Sequence, residues 1–311
     1  MKPASLRGFR YSAICTLLRP RFLFRALHLV LTLVLVLLGS PVAPLAQSSA
    51  PAAAPAQPPA TLTDAQMAEF LEAASVVKSR GTEKGITGSV RATLTHGALT
   101  HDAHIQTIDE SKIGVTSGPR PEVHFRDTWQ FNVAAYRIDR LLGLRLVPVS
   151  IERTWKGERA AFTWWVDEVM MDEGERLKKK LSAPDAMCWS EYVWALRVFD
   201  QLIDNIDRNM GNMVISSKWR LWGIDHTRAF RYSRAPRNPE RLARVDRALL
   251  GRLKALDFDT LKREVGRYLM DADIRSLLAR RDGIVAHFGG LGDAFLYDRR
   301  DPAVGCQVAV R

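Results

Sequence analysis

Asp207 and Asn212 stand five residues apart in the run Asp207-Arg208-Asn209-Met210-Gly211-Asn212, and a second acid, Asp225, follows two short apolar segments. These residue types have a definite chemistry in common. A carboxylate beside an attacking hydroxyl serves as a general base, and an amide oxygen with a further carboxylate supplies hard ligands for magnesium. Phosphoryl transfer asks little more of a protein than this, plus charge that holds the phosphates. The context strengthens the pattern. Asp207 ends a long apolar helical segment, Glu191 to Ile206, and Asn212 directly precedes Met213-Val214-Ile215. A turn at Ser216-Ser217-Lys218 then leads into Leu221-Trp222-Gly223-Ile224 and Asp225. Packed structure on both sides would pin these side chains and make them converge. Asp and Asn are also ordinary turn formers, and the downstream Ile224-Asp225 is what separates the two readings. Asp204 and Asn209 share the spacing, but Asn209 is followed by Met210-Gly211-Asn212 and not by an apolar strand.

The elements that must position this set are legible as patterns. Thr61 to Arg80 reads as one helix, opened by Thr63 as a cap with Asp64 and Glu69 near its positive end. Ile86 to Leu94 and Leu99 to Ile108 read as a hairpin turning at Thr95-His96-Gly97-Ala98. Asp127 to Leu142 carries Phe131, Ala134, Ala135, Ile138 and Leu142 on one helical face, and Gly143 stops it. Leu146 to Glu152 and Ala160 to Met171 read as strands around the turn Trp155-Lys156-Gly157-Glu158. Pro239 to Phe288 is helical almost throughout, with breaks near Leu256 to Asp259 and Met270 to Asp273. A β-rich front with one embedded helix thus precedes a mostly helical back. That is an α+β chain with two lobes and a crevice between them.

At these residues the sequence resembles the atypical, phosphatidylinositol 3-/4-kinase-like branch of the protein kinase superfamily, which includes HipA-type kinases and the kinases of the secretory pathway. Its pattern Asp-Arg-x-x-x-Asn, hairpin, Ile-Asp is matched by Asp207-Arg208, Asn212 and Ile224-Asp225. A second resemblance lies upstream, where Asn132 to Leu144 and Val147-Pro148 look like the family's αC-type helix and the strand after it. Together they cover roughly residues 85–290. The resemblance implies a two-lobed kinase-like fold, with a small β-rich N-lobe (61–171) bearing the αC-type helix and a larger, mostly helical C-lobe (172–311). It implies Asp207 as catalytic base, Asn212 and Asp225 as ligands of Mg2+ or Mn2+, and ATP between the lobes, its adenine near Trp164 to Met170. Arg208 is expected to brace the loop through a carboxylate or a backbone carbonyl, which suits a rigid guanidinium fork.

The same alignment exposes a departure. Where the family pairs a strand Lys with a helix Glu on the α- and β-phosphates, this chain has Gln106 and Asn132. Two amides can still bridge strand to helix, but a cation on the phosphates is lost. Lys112, Lys84 or Arg126 would have to replace it, Lys112 first. The implied function is a phosphotransferase acting on a protein, lipid or small-molecule hydroxyl. A nucleotide-free or non-turnover binding module and an adenylyl-transferring enzyme are the alternatives.

Residues 1–46 hold six of the net eleven positive charges and no acid, with the uncharged apolar run Ala26 to Leu38 after them. That is a signal-peptide or anchor pattern, and the Ala/Pro/Gln/Ser-rich stretch 47–60 reads as a linker. An exported or membrane-anchored envelope location is therefore expected, or a cytoplasmic one if translation starts further downstream. The remaining charge is too mild for a nucleic-acid-binding surface. Arg176, Lys178, Lys179 and Lys180 read as a solvated face, and His96, His101 and His104 as polar hairpin surface. Gly85 and Gly88 could form a phosphate-covering turn or simply enter a strand. Cys188 and Cys306 could pair in an oxidising compartment, although two unpaired thiols are the simpler expectation.

Overall fold

Thr63 caps the first helix, α1 (Asp64–Ala73), as a reciprocal box: Gln66 N–H donates to its hydroxyl, and Thr63 N–H donates to the Gln66 side chain at 2.9 Å. The helix is shorter than its sequence pattern. Ala74 is fully buried and extended, and Ser75-Val76-Val77 begins β1 (Ser75–Gly81). β-branched side chains with a partner strand available outweigh weak helical periodicity there. The computed structural model describes residues 62–81, 89–115 and 122–307, within a compact unit spanning Pro59–Arg311. The expected leader and linker, the Gly85/Gly88 turn and Lys84 lie outside the described residues.

β2 (Val90–His96) and β3 (Leu99–Gln106) form the expected hairpin, with the turn narrowed to Gly97-Ala98. A second hairpin, β4 (Asp109–Val115) and β5 (Glu122–Thr128), fills a stretch that carries no clear sequence pattern. α2 (Gln130–Leu141) follows, starting three residues later than its periodicity allows because Asp127 and Thr128 still belong to β5. β6 (Ser150–Trp155) and β7 (Glu158–Trp164) are joined by Lys156-Gly157, both at positive φ (51° and 88°). That is the two-residue hairpin turn whose twist matches its strands. The segment read as one strand to Met171 is broken at 165–168, and β8 (Val169–Asp172) joins a different sheet.

The large sheet runs β1-β2-β3-β7-β6, and its inner face, with α1, buries Phe70, Leu71, Leu94, Ala103, Ile105, Val149, Phe162 and Trp164 in one core. The second, larger core belongs to the helical half: α3 (Glu173–Lys178), α4 (Ala186–Leu202), α5 (Arg247–Ala255), α6 (Phe258–Val265) and α7 (Asp271–Leu291). The breaks between the last three fall where the sequence placed them. α2 supplies Phe131, Val133, Ala134, Ala135 and Ile138 to this larger core, while Tyr136 packs against both. Two cores with one shared helix make a two-lobed α+β molecule. β9 (Met213–Ser216) lies between β10 (Leu221–Gly223) and β8 in a three-stranded antiparallel sheet.

The C-terminal segment returns across the helical lobe. β12 (Leu296–Tyr297) lies parallel to β11 (Val245–Asp246), and Cys306 reaches α4 to form a disulfide with Cys188, Cα atoms 5.5 Å apart. The expectation of two free thiols is thereby corrected: the returning chain closes a separation of 118 residues. Among the described residues no helix is long and apolar enough to cross a membrane.

Candidate active site

α4 delivers the chain to a tight loop whose framework is Arg208. Its guanidinium donates to both oxygens of Asp200 on α4 (3.0 and 3.1 Å), to the carbonyls of Asn212 (2.8 Å) and Ile224 (2.7 Å), and to His226 Nε2 (2.8 Å). One side chain thus ties the helix, the Asp207–Asn212 loop and the strand leading to Asp225. Both kinds of partner expected for Arg208, carboxylate and backbone carbonyl, are present. An always-charged planar fork can serve all of them at once.

Met210–Asn212 forms a single 3-10 turn capped by Asn209, whose side-chain oxygen accepts the Asn212 N–H at 3.1 Å. Asn212 Nδ2 donates to the Asp207 carbonyl (3.3 Å), which leaves the amide oxygen turned away from the loop's own backbone. Ile224 N–H donates to the Asn212 carbonyl (3.0 Å), so Asn212 and Asp225 are held by adjacent backbone. Asp225 has φ +55°, a left-handed conformation that non-glycine residues occupy at a cost. Thr227 Oγ1 donates to its Oδ1 at 3.2 Å. The alternative pair has other work: Asp204 is buried and paired with Arg237, and Asn209 is the cap.

The two amides at the substituted positions meet. Asn132 Nδ2 on α2 donates to Gln106 Oε1 on β3 at 2.7 Å, and Asn132 Oδ1 accepts the His226 N–H at 2.8 Å. Both side chains are buried. A neutral chain of hydrogen bonds therefore runs from the β-sheet through α2 to the residue after Asp225, and on through His226 to Arg208. His226 is buried, and burial together with Arg208 holds its imidazole well below the usual histidine range. Neutral, it can accept from Arg208.

Burial pushes the Asp207 carboxyl above its ordinary value; Arg228 pulls it back and negative Asp225 adds to the rise. Two residues near this point had no sequence signal. Asp127, at the end of β5, is buried, and its carboxyl is pushed up by burial, relieved by a Thr227 hydrogen bond, and pushed further by Asp225. Its Oδ1 has no hydrogen-bond partner. In sequence it passed as the opening of α2. His104, placed with the polar hairpin surface, instead bonds Ser89 Oγ and lies within the field of Asp225, with burial lowering its imidazole.

Lys112, on β4, pairs across the hairpin with Phe125, 5.7 Å from its ring centre; its side chain is 60% exposed and bound to Glu110 at 2.6 Å. Arg126 forks onto Asp273 of α7 (2.7 and 3.0 Å). The inter-lobe segment 165–168 follows Trp164, whose ring packs in the small-lobe core and stacks on His101 at 3.6 Å; Asp167 accepts from both rings. Of the basic cluster, Lys178, Lys179 and Lys180 are exposed, Lys179 pairing with Glu175, but Arg176 is not part of a solvated face: it forks onto buried Glu173 and lies over the Trp189 ring.

The donors fit a hard cation. Asn212 and the residue before Asp225 are hydrogen-bonded neighbours, Asn212 and Asp225 both carry oxygen donors, and the unsatisfied Asp127 oxygen is on the adjoining strand; magnesium completes so sparse a set with water and phosphate oxygens. Among the described residues no group of three or more His, Cys, Asp or Glu side chains is gathered as a metal cage, so a metal here would depend on those other oxygens.

No protein-family model matches the chain, and no curated protein matches it. Solved structures do. Hydra Fam20 with sugar aligns with a TM-score of 0.55 at 13% identity, over 75% of this chain and 92% of that one. The Golgi casein kinase with Mn/ADP bound aligns with a TM-score of 0.53 at 11% identity, over 76% and 80% of the two chains. These likenesses establish a kinase-like fold, and the fold alone.

Proposed function

We propose that the chain is a phosphotransferase that uses ATP with magnesium or manganese to modify a hydroxyl on a protein, lipid or small molecule. The observation that carries this reading is the single hydrogen-bonded framework, centred on Arg208, that ties the Asp207–Asn212 loop to the residues on either side of Asp225. The fold's likeness to a Golgi kinase solved with Mn/ADP supports it. Asn212 and Asp225 would hold the metal, which when bound supplies charge neutralisation at the phosphates. Asp207 would accept the proton of the attacking hydroxyl as its oxygen bonds to the terminal phosphorus and the bond to the ADP oxygen breaks. Burial of Asp207 favours this, because a carboxyl with a raised pKa is a stronger base.

The Cys188–Cys306 disulfide supports an oxidising compartment, in keeping with the exported or anchored location expected from residues 1–46. Protease accessibility of the folded unit in intact cells tests that location. A second reading, nucleotide binding without turnover, is favoured by the uncharged Gln106–Asn132 pair. Intact-mass measurement after incubation with a candidate substrate, ATP and magnesium or manganese separates the readings. A phosphate-sized increase that disappears in Asp207→Ala and Asp225→Ala is the expected result. Nucleotide binding with neither transfer nor hydrolysis favours the second reading, and an AMP-sized increase would mean adenylyl transfer.

A further inference from the structure

We propose that Arg228 takes the place of the absent strand lysine and grips the nucleotide's phosphates from the segment after Asp225; this rests on the nucleotide-using reading above. The chain lacks a cation at Gln106. Of the described basic residues first considered as substitutes, Lys112 is exposed on β4 and bound to Glu110; it shares the Phe125 ring (5.7 Å from its centre) with the residue assigned here. Arg126 is aimed into the helical lobe at Asp273. Arg208 lies behind the loop, where it holds carbonyls and Asp200.

Arg228 has a different bearing. Its segment is pinned beside β5: Thr128 N–H donates to the Thr227 carbonyl at 3.0 Å, and Thr227 Oγ1 reaches Asp225 at 3.2 Å. On β5, Phe125 and Asp127 alternate onto one face. The Arg228 guanidinium lies over the Phe125 ring, 4.9 Å from its centre, and its charge acts on Asp127 next along that face. It is also the foremost positive charge acting on Asp207. Arg231 steadies the backbone from behind, donating to the Arg228 carbonyl at 3.2 Å and to the His124 carbonyl at 3.2 Å. A guanidinium so placed acts on two carboxylates, Asp127 and Asp207, three residues after the proposed metal ligand Asp225, where a bound polyphosphate would need its charge met. Its planar fork can take two phosphate oxygens together.

Calorimetric titration of the full chain with ATP, ADP and adenosine, in magnesium, tests the assignment. Arg228→Gln should weaken ATP and ADP about 10–100-fold while adenosine binds as to the parent, since one charge-assisted contact to phosphate is lost. Arg228→Lys should recover part of the loss, keeping the charge without the fork. An Arg228→Gln protein that binds ATP like the parent, or loses ATP and adenosine equally, overturns the proposal. Thermal melts accompany each variant. If Arg228→Gln does not fold, Arg228→Lys decides: it must bind ATP more weakly than the parent, with adenosine unchanged, and parental ATP affinity overturns the assignment. A parent that binds no nucleotide overturns the functional reading and this inference together, whereas a nucleotide-binding parent with an indifferent Arg228 overturns this inference alone.

Discussion

Asp207 is the side chain on which the proposed chemistry turns, and its environment makes a pH prediction. Burial raises its pKa above the ordinary aspartate value, Asp225 adds to the rise, and Arg228, Arg208 and Arg231 oppose it. The folded chain therefore keeps this proton to a higher pH than a solvated aspartate would. A base works only when ionised, so transfer should increase with pH through a value above the ordinary ~3.9 of aspartate. Measured rates that reach their plateau already at the pH of an unperturbed carboxylate would contradict the assignment of Asp207 as base. Of the residues gathered here, Asp207, Asn212 and Asp225 were legible because one short loop and one hairpin carry them, so spacing alone preserves their geometry. Asp127, His104 and Arg228 were not. They meet the loop only because β5 runs alongside residues 225–228 and β3 faces Asp225, and no local pattern records a long-range crossing.

At the scale of elements, Gln106 and Asn132 do more than mark a missing ion pair. Asn132 is donor to Gln106 on β3 and acceptor from the His226 peptide, so α2 is fastened simultaneously to the sheet and to the segment that bears Asp225. Asn132→Leu keeps a similar volume but leaves the buried His226 N–H and the Gln106 amide without partners. Each orphaned group costs about 1–3 kcal/mol, so the denaturation midpoint should drop. Asn132→Asp, which still accepts from His226 and can accept from Gln106 once that amide turns over, should recover part of the loss. If α2 positions the metal loop, manganese affinity followed by electron paramagnetic resonance should also fall in the Leu variant and be rescued in the Asp variant. A Leu variant with parental midpoint and parental manganese binding would show the clamp to be idle. The bridging of these two positions was readable by alignment, but its extension to His226 required the fold. The same contrast holds for the elements themselves. Breaks near 256–259 and 270–273 were legible because helix stops are local, whereas α1 overran to Arg80 in the sequence because the strand partner that claims Val76 and Lys78 is 18 and 15 residues further on.

For the whole molecule, the two-lobed plan follows from a change of hydrophobic period along the chain, but nothing in that period says where the C-terminus goes. It goes back over α4. Tyr297 Oη donates to the Glu191 carbonyl (3.1 Å), Tyr192 Oη to the Pro302 carbonyl (2.6 Å), Arg299 N–H to Asp246 (3.0 Å) and Cys306 N–H to the Lys218 carbonyl (2.9 Å). Gly305 sits at φ +73°, and a Cβ there would meet the Lys218 carbonyl oxygen at 2.2 Å, so the close crossing needs glycine. The disulfide completes this strap by closing a long loop, for which constraint of the unfolded chain is worth about 2–5 kcal/mol. The strap grips the far end of α4 and the β9–β10 turn and makes none of these bonds to Asp207, Asn212 or Asp225. Reduction, or Cys188→Ser with Cys306→Ser, should therefore lower Tm by several degrees, while nucleotide affinity below the transition stays at its parental value. The comparison is a melt with and without reductant, run beside a nucleotide titration at low temperature. Unchanged melting would mean the strap's hydrogen bonds hold the C-terminus without the bridge; lost affinity in a folded, reduced protein would mean that tension in α4 reaches the loop it delivers.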